Sequence, residues 1–162
     1  MAIFRMIRRK NLLNAGVSNA ELINLFQRAD YFKNLREEKS IYLEFDVLMI
    51  FIGLALLEFF PLRNISGILN DLKKNYWNLY RLLRQNPRQF LVVEKKMEEI
   101  VKEIDLEMSY YVVFPMLFDS LKVLDWENRK TMVLFNLEPI YKRIDDLFSK
   151  EGTVIATDEE GK

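Results

Sequence analysis

Val47-Leu-Met-Ile-Phe-Ile-Gly-Leu-Ala-Leu-Leu57 is the stretch around which the rest of the chain must be organised, with Phe45 before it and Phe59-Phe60-Pro61 after it. A helix that is apolar on every side is either buried by other elements or immersed in lipid. At about 1.5 Å per residue this run extends only ~17 Å, against the ~30 Å of a hydrocarbon core. Asp46 and Glu58 bracket it. The reading is therefore a central core helix rather than a membrane span.

The 162 residues suit one domain with a sizeable core, half hydrophobic and 30% charged, with five Gly and four Pro. Cysteine and histidine are both absent. That removes disulfides, thiolate nucleophiles, Ser-His-Asp triads and the Glu-x-x-His pairs of di-iron bundles. Five scattered glycines build no phosphate loop. The expectation is a non-enzymatic protein with no catalytic residue, no metal, no cofactor and no small-molecule substrate, which works by binding a macromolecular partner.

Outward from the central helix, the periodicity predicts helices almost everywhere. Gly16 can stop a first turn, and Ser18-Asn-Ala-Glu21 is a capping box for a second helix with Leu22, Leu25, Phe26 and Ala29 on one side. After Pro61, the residues Ile65, Ile68, Leu69, Leu72, Tyr76, Leu79 and Leu83 mark one helix over 65–85. Phe90, Val93, Met97, Ile100, Val101, Ile104 and Met108 mark another, whose acidic outer row of Glu94, Glu98, Glu99 and Glu103 reads as a solvated face. Tyr110-Tyr-Val-Val-Phe114 has β-propensity but no evident pairing partner, so it reads as a continuation of that helix, kinked at Pro115. Pro139 interrupts the last helical region, and Ile140, Ile144, Leu147 and Phe148 give the final amphipathic turns. The fold expected is all-α: one helical bundle of six to eight helices. It comprises a basic amphipathic segment over 1–15, an all-α domain over 18–150 and an acidic disordered tail over 151–162.

Formal charge sums to zero but is unevenly placed. Residues 1–20 hold Arg5, Arg8, Arg9 and Lys10 and no acid, and segment 63–88 carries six bases and only Asp71. Such blocks mark surfaces that meet a partner. The first block reads as a frayed basic terminus, an organelle-targeting presequence or a short amphipathic helix. In the last case Phe4, Arg5, Ile7, Arg8, Arg9 and Lys10 would dock on an anionic membrane surface. The second block supplies Lys73, Lys74, Trp77, Tyr80, Arg81 and Arg84, a basic-aromatic face suited to a protein partner or to nucleic acid, with bases stacked on the rings and phosphates on the cations. The pI near 6.4 speaks against a dedicated nucleic-acid domain.

The N-terminal third also resembles the ubiquinol–cytochrome c chaperone family, all-α assembly factors of the cytochrome bc1 complex. Phe4-Arg5 and Arg8-Arg9 look like the family's basic-aromatic start, Tyr31-Phe32 like its aromatic pair, and Phe45-Asp46 like the entry to its apolar helix. Glu44 stands where the family usually has Arg, and Phe51 where it often has His. The resemblance spans about 60 of the 162 residues. It implies a non-catalytic chaperone or assembly factor that is intracellular, in the cytoplasm or an organellar matrix, and docks at a membrane. The alternative is a structural or accessory protein of a nucleic-acid-handling or viral assembly that uses the 65–85 face.

Overall fold

The computed structural model describes residues 2–33, 41–101, 106–123 and 132–157. Its chain order is β1 (Ala2–Arg8), α1 (Arg9–Asn14), α2 (Asn19–Arg28), a 3-10 turn (Asp30–Phe32), β2 (Ile41–Leu43), α3 (Glu44–Leu56), α4 (Leu62–Asn75) and α5 (Leu79–Gln85). There follow β3 (Gln89–Val101), β4 (Leu106–Leu117), a second 3-10 stretch (Phe118–Val123), β5 (Met132–Asn136), α6 (Leu137–Glu151) and β6 (Thr153–Thr157).

The central helix is where the sequence puts it. In α3, Val47 through Gly53 and Leu56 are all buried. Glu44 and Asp46 lie in its positively polarised first turn, and the Asp46 carboxylate accepts from the Leu43 N–H at 3.2 Å. Gly53 lets α2 come close: a Cβ there would meet Leu25 and Phe32 side-chain carbons at 3.4 Å. Around α3 one continuous apolar core joins Leu22 and Phe26 of α2, Ile68 and Leu72 of α4, Leu83 of α5, Leu91 and Val93 of β3, and Ile144 and Phe148 of α6.

The all-α helical bundle is not what forms. Among the described residues, six α-helices share the molecule with six strands in two three-stranded antiparallel sheets, ordered β2-β1-β6 and β4-β3-β5. Where it is described, the helix expected over Phe90–Met108 is strand β3 and the start of β4; residues 102–105, Ile104 among them, lie outside the described residues. Leu91, Val92 and Val93 are consecutive and all buried, a pattern of a strand covered on both faces and not of a one-sided helix. Tyr110–Phe114 does have a pairing partner: Lys96 stands opposite Tyr110 and Val92 opposite Phe114. That partner lay inside the very stretch assigned to a helix. Glu94, placed in the solvated row, is buried and pairs with Lys96 at 2.7 Å.

Four further expectations change. The first amphipathic helix is instead the strand β1 followed by the six-residue α1. The tail is not disordered throughout, because Thr153–Thr157 pairs with Met6–Ala2 as β6; residues 158–162 lie outside the described residues. The single helix over 65–85 is broken at Tyr76 (φ −135°, ψ 41°) into α4 and α5. Pro139 does not interrupt α6 but sits in its first turn, where a missing N–H costs nothing. The Asn136 side chain caps that turn by accepting from the Glu138 N–H at 3.1 Å.

Candidate functional site

β1, α1, α2 and β2 form one unit in which the outer face of α2 is exposed. α1 follows directly on β1, the Asn11 side chain accepting from the Arg8 N–H at 2.8 Å. It ends with two reverse hydrogen bonds, Val17 N–H to Leu12 C=O at 3.2 Å and Gly16 N–H to Leu13 C=O at 3.1 Å. Gly16 supplies the left-handed residue this ending requires, at φ +89°. Leu12 and Val17 are both buried beneath the turn, as this type of ending favours. From α6, Arg143 Nη2 donates to the Ala15 carbonyl at 2.7 Å and holds the turn from outside.

Ser18 then opens α2 with a reciprocal pair of bonds: the Glu21 N–H donates to its hydroxyl at 3.1 Å, and the Ser18 N–H donates to the Glu21 carboxylate at 2.8 Å. The Ser18 hydrogen bonds hold the Glu21 carboxyl below the usual carboxylate range. The two helices are joined by a four-residue turn containing Gly, Ala15–Ser18.

The second helix has two distinct faces. Leu22, Leu25 and Phe26 are buried against the body, while Asn19, Ala20, Ile23, Asn24, Gln27 and Arg28 are exposed. The outer face is thus rich in amides and ends in a guanidinium. Arg9 Nη2 donates to Asn19 Oδ1 at 2.9 Å, which puts the cationic start of α1 beside the start of α2. The strand pair closes the unit: Met6, Ile7 and Arg8 of β1 face Leu43, Tyr42 and Ile41 of β2. Charge follows the same boundary. Residues 1–43 hold eight bases and four acids, and the rest of the chain carries the compensating acidic excess. Arg8, Lys10, Arg28 and Lys33 are exposed.

The residues predicted from sequence are redistributed. Phe4, Arg5 and Ile7 lie on β1, and Ile7 is only 1% exposed, so it is core and cannot dip into a lipid surface. Arg5 pairs with Glu44 of α3 and, at 2.9 Å, with Asp145 of α6, and donates to the Tyr80 hydroxyl at 3.1 Å. Burial opposes the Arg5 charge, but these hydrogen bonds to Asp145 and Glu44 outweigh it and raise its pKa above the ordinary arginine value. Arg8, Arg9 and Lys10 fall at the β1–α1 junction. The six therefore form no amphipathic membrane helix.

Of the second group, Trp77, Tyr80, Arg81 and Arg84 come together around a groove beside the start of α3. Tyr80 is buried, and that burial, with the nearby Glu44 charge, pushes its phenol pKa up. Arg84 Nη2 lies 3.0 Å from both Glu44 carboxylate oxygens. Lys73 lies over the Tyr31 ring at 5.9 Å, and Lys74 is exposed near the C-terminal end of α4.

The outer residues of α2 were not singled out from sequence. The Gly16 stop and the Ser18–Glu21 box are legible in the sequence, but each reads by itself as ordinary helix punctuation. Their closeness, Gly16 standing two residues before Ser18, followed by amides at positions 19, 24 and 27, was the signal available.

Comparison of the chain with family models, with curated proteins and with solved structures finds no match. Among the described residues, no helix is long and apolar enough to cross a membrane, and no group of three or more Asp or Glu could hold a metal ion.

Proposed function

We propose that the protein is a non-catalytic, sequence-reading DNA-binding factor whose α2 enters the major groove. The observation that carries this is the exposed Asn24, Gln27 and Arg28 face on a helix held by a glycine turn and a strand pair. Asn and Gln match adenine edges, and Arg matches guanine, with the paired donors and acceptors that base discrimination needs. Ten residues of helix extend about 15 Å, enough to lie across the ~12 Å major groove of B-DNA. The deep, narrow major groove of A-form RNA admits no such helix, which favours DNA.

Arg8, Lys10 and Arg28 are exposed and would meet the phosphates, and their charge is local to residues 1–43. The zero net charge of the whole chain is therefore no obstacle, since the acidic balance sits elsewhere. Glu21 lies on the same helix, but its carboxylate is engaged by Ser18.

The test is selection of duplexes from a randomised pool at low salt, followed by fluorescence anisotropy on the selected sequence. Each base contact is worth about 1–3 kcal/mol, so Asn24→Ala combined with Gln27→Ala and Arg28→Ala should weaken binding about 100-fold or more. Lys10→Ala should weaken all duplexes alike and lower the salt slope by about one. No enriched sequence, or a triple variant that binds as tightly as the wild type, would overturn the reading.

A further inference from the structure

We infer that the groove between the start of α3 and α5 is a site for a flat aromatic molecule bearing an acid group. The groove has a volume near 320 Å³, at the lower end of the range for small-molecule sites. Phe45, Trp77 and Tyr80 supply its rings, and Arg81, Arg84 and Arg5 its cations, with Glu44 the one carboxylate in its lining. A ligand here lies outside the expectation from composition, which gave the chain macromolecular partners alone.

The aromatic part of the inference rests on Trp77. Its side chain is 68% exposed in the short break between α4 and α5, yet it borders the groove and does not project from a bare surface. A second ring laid on the indole would remove that apolar area from water and gain stacking. Phe45, partly buried against the core, gives the groove a second apolar border.

The acid group follows from the charge count at the groove. Three guanidiniums line it against one carboxylate. Glu44 is not free to hold a cation, because its oxygens already accept from Arg5 and Arg84. Arg84 gives Nη2 to both oxygens and also meets the Tyr141 hydroxyl, out of five N–H donors in all. Among the described residues, Arg81 makes no ion pair and no hydrogen bond, and it is exposed at the groove. A carboxylate or phosphate placed between Arg81 and Arg84 meets the planar donors that suit it. The volume suits one ring system and its acid, and excludes a double helix.

The experiment is isothermal titration of the full chain with indole-3-acetate and adenosine monophosphate, using indole-3-acetamide and acetate as controls. Both aromatic acids should saturate the protein below about 1 mM, and each control should bind about tenfold more weakly or not at all. Trp77→Ala should weaken the aromatic acids about fivefold or more, and Trp77→Phe should recover most of that. Arg81→Gln should remove the preference for the acid over the amide. Circular dichroism should not change in any variant, since both side chains are exposed.

Failure of both acids to saturate, or equal affinity in the wild type and Trp77→Ala, overturns the assignment. So does a single-stranded oligonucleotide that binds through Trp77 and Arg81 when neither small acid does, since the groove would then be a nucleic-acid surface. No probe or variant here touches α2, so the result is independent of the DNA reading.

Discussion

Replacing Ile7 by Ala separates a strand at the N-terminus from a surface anchor. Ile7 is 1% exposed, stands opposite Tyr42 in the β1–β2 register and belongs to the main core. The substitution deletes three carbons, worth about 2.4 kcal/mol at ~0.8 kcal/mol per buried methylene, and leaves a cavity that raises the cost to about 2–5 kcal/mol. That is a large part of the ~5–15 kcal/mol that holds a typical domain together. For a chain of this size each kcal/mol lowers Tm by about 2–4 °C, so the melt should fall by about 5–20 °C. Arg8→Ala, one residue on and exposed, should stay within about 0.5 kcal/mol of the wild type. Thermal melts followed by circular dichroism read both variants. An Ile7→Ala protein that melts with the wild type would mean that Ile7 is not core, and the membrane-docking helix would return as the better account of residues 1–14.

Gly16→Ala should lower stability by about 1–2 kcal/mol, the cost of a side chain in the left-handed region, with Gly16→Asn less affected. The nearest neighbour of a new Cβ is the Arg143 Nη2 at 3.5 Å, so backbone strain is the whole effect, and a neutral or stabilising result in a denaturant melt would refute the turn. Ser18→Ala should cost about 1 kcal/mol near neutral pH through loss of the cap. Because Ser18 depresses the folded-state pKa of Glu21, the Glu21 contribution is present above about pH 4.3 and is lost as pH falls below it. In Ser18→Ala, an NMR titration should find Glu21 closer to its ordinary value, and the acid-side loss of stability should shrink.

The central helix was legible because eleven apolar residues in a row leave few other options. The strands were not, for a specific reason. Phe90, Val93, Met97, Ile100 and Ile104 satisfy helical spacing, but the adjacent Leu91 and Val92 show that apolar residues in this stretch are not confined to one face. Short apolar runs cannot be told apart by period alone, and the decision turns on long-range pairing, which no local window contains. The same holds for β1. Ile3, Phe4, Met6 and Ile7 look amphipathic by eye, and only β2 and β6 on either side make them a central strand. In the candidate site, the capping box and the glycine stop were readable one by one. Their joint meaning needed the fold to show which face of α2 stays exposed, and the same is true of Trp77, whose groove is formed with the distant Glu44 and Phe45.

The absence of cysteine from the chain permits a direct test of whether α2 is the DNA-reading element. Asn24→Cys and Gln27→Cys on its outer face, and Lys142→Cys at an exposed position of α6, can each carry a thiol-linked photo-cross-linker, and each can be mixed with the selected duplex. The account expects cross-links to bases from positions 24 and 27 and none from position 142. Cross-links from position 142 with none from α2 would contradict it.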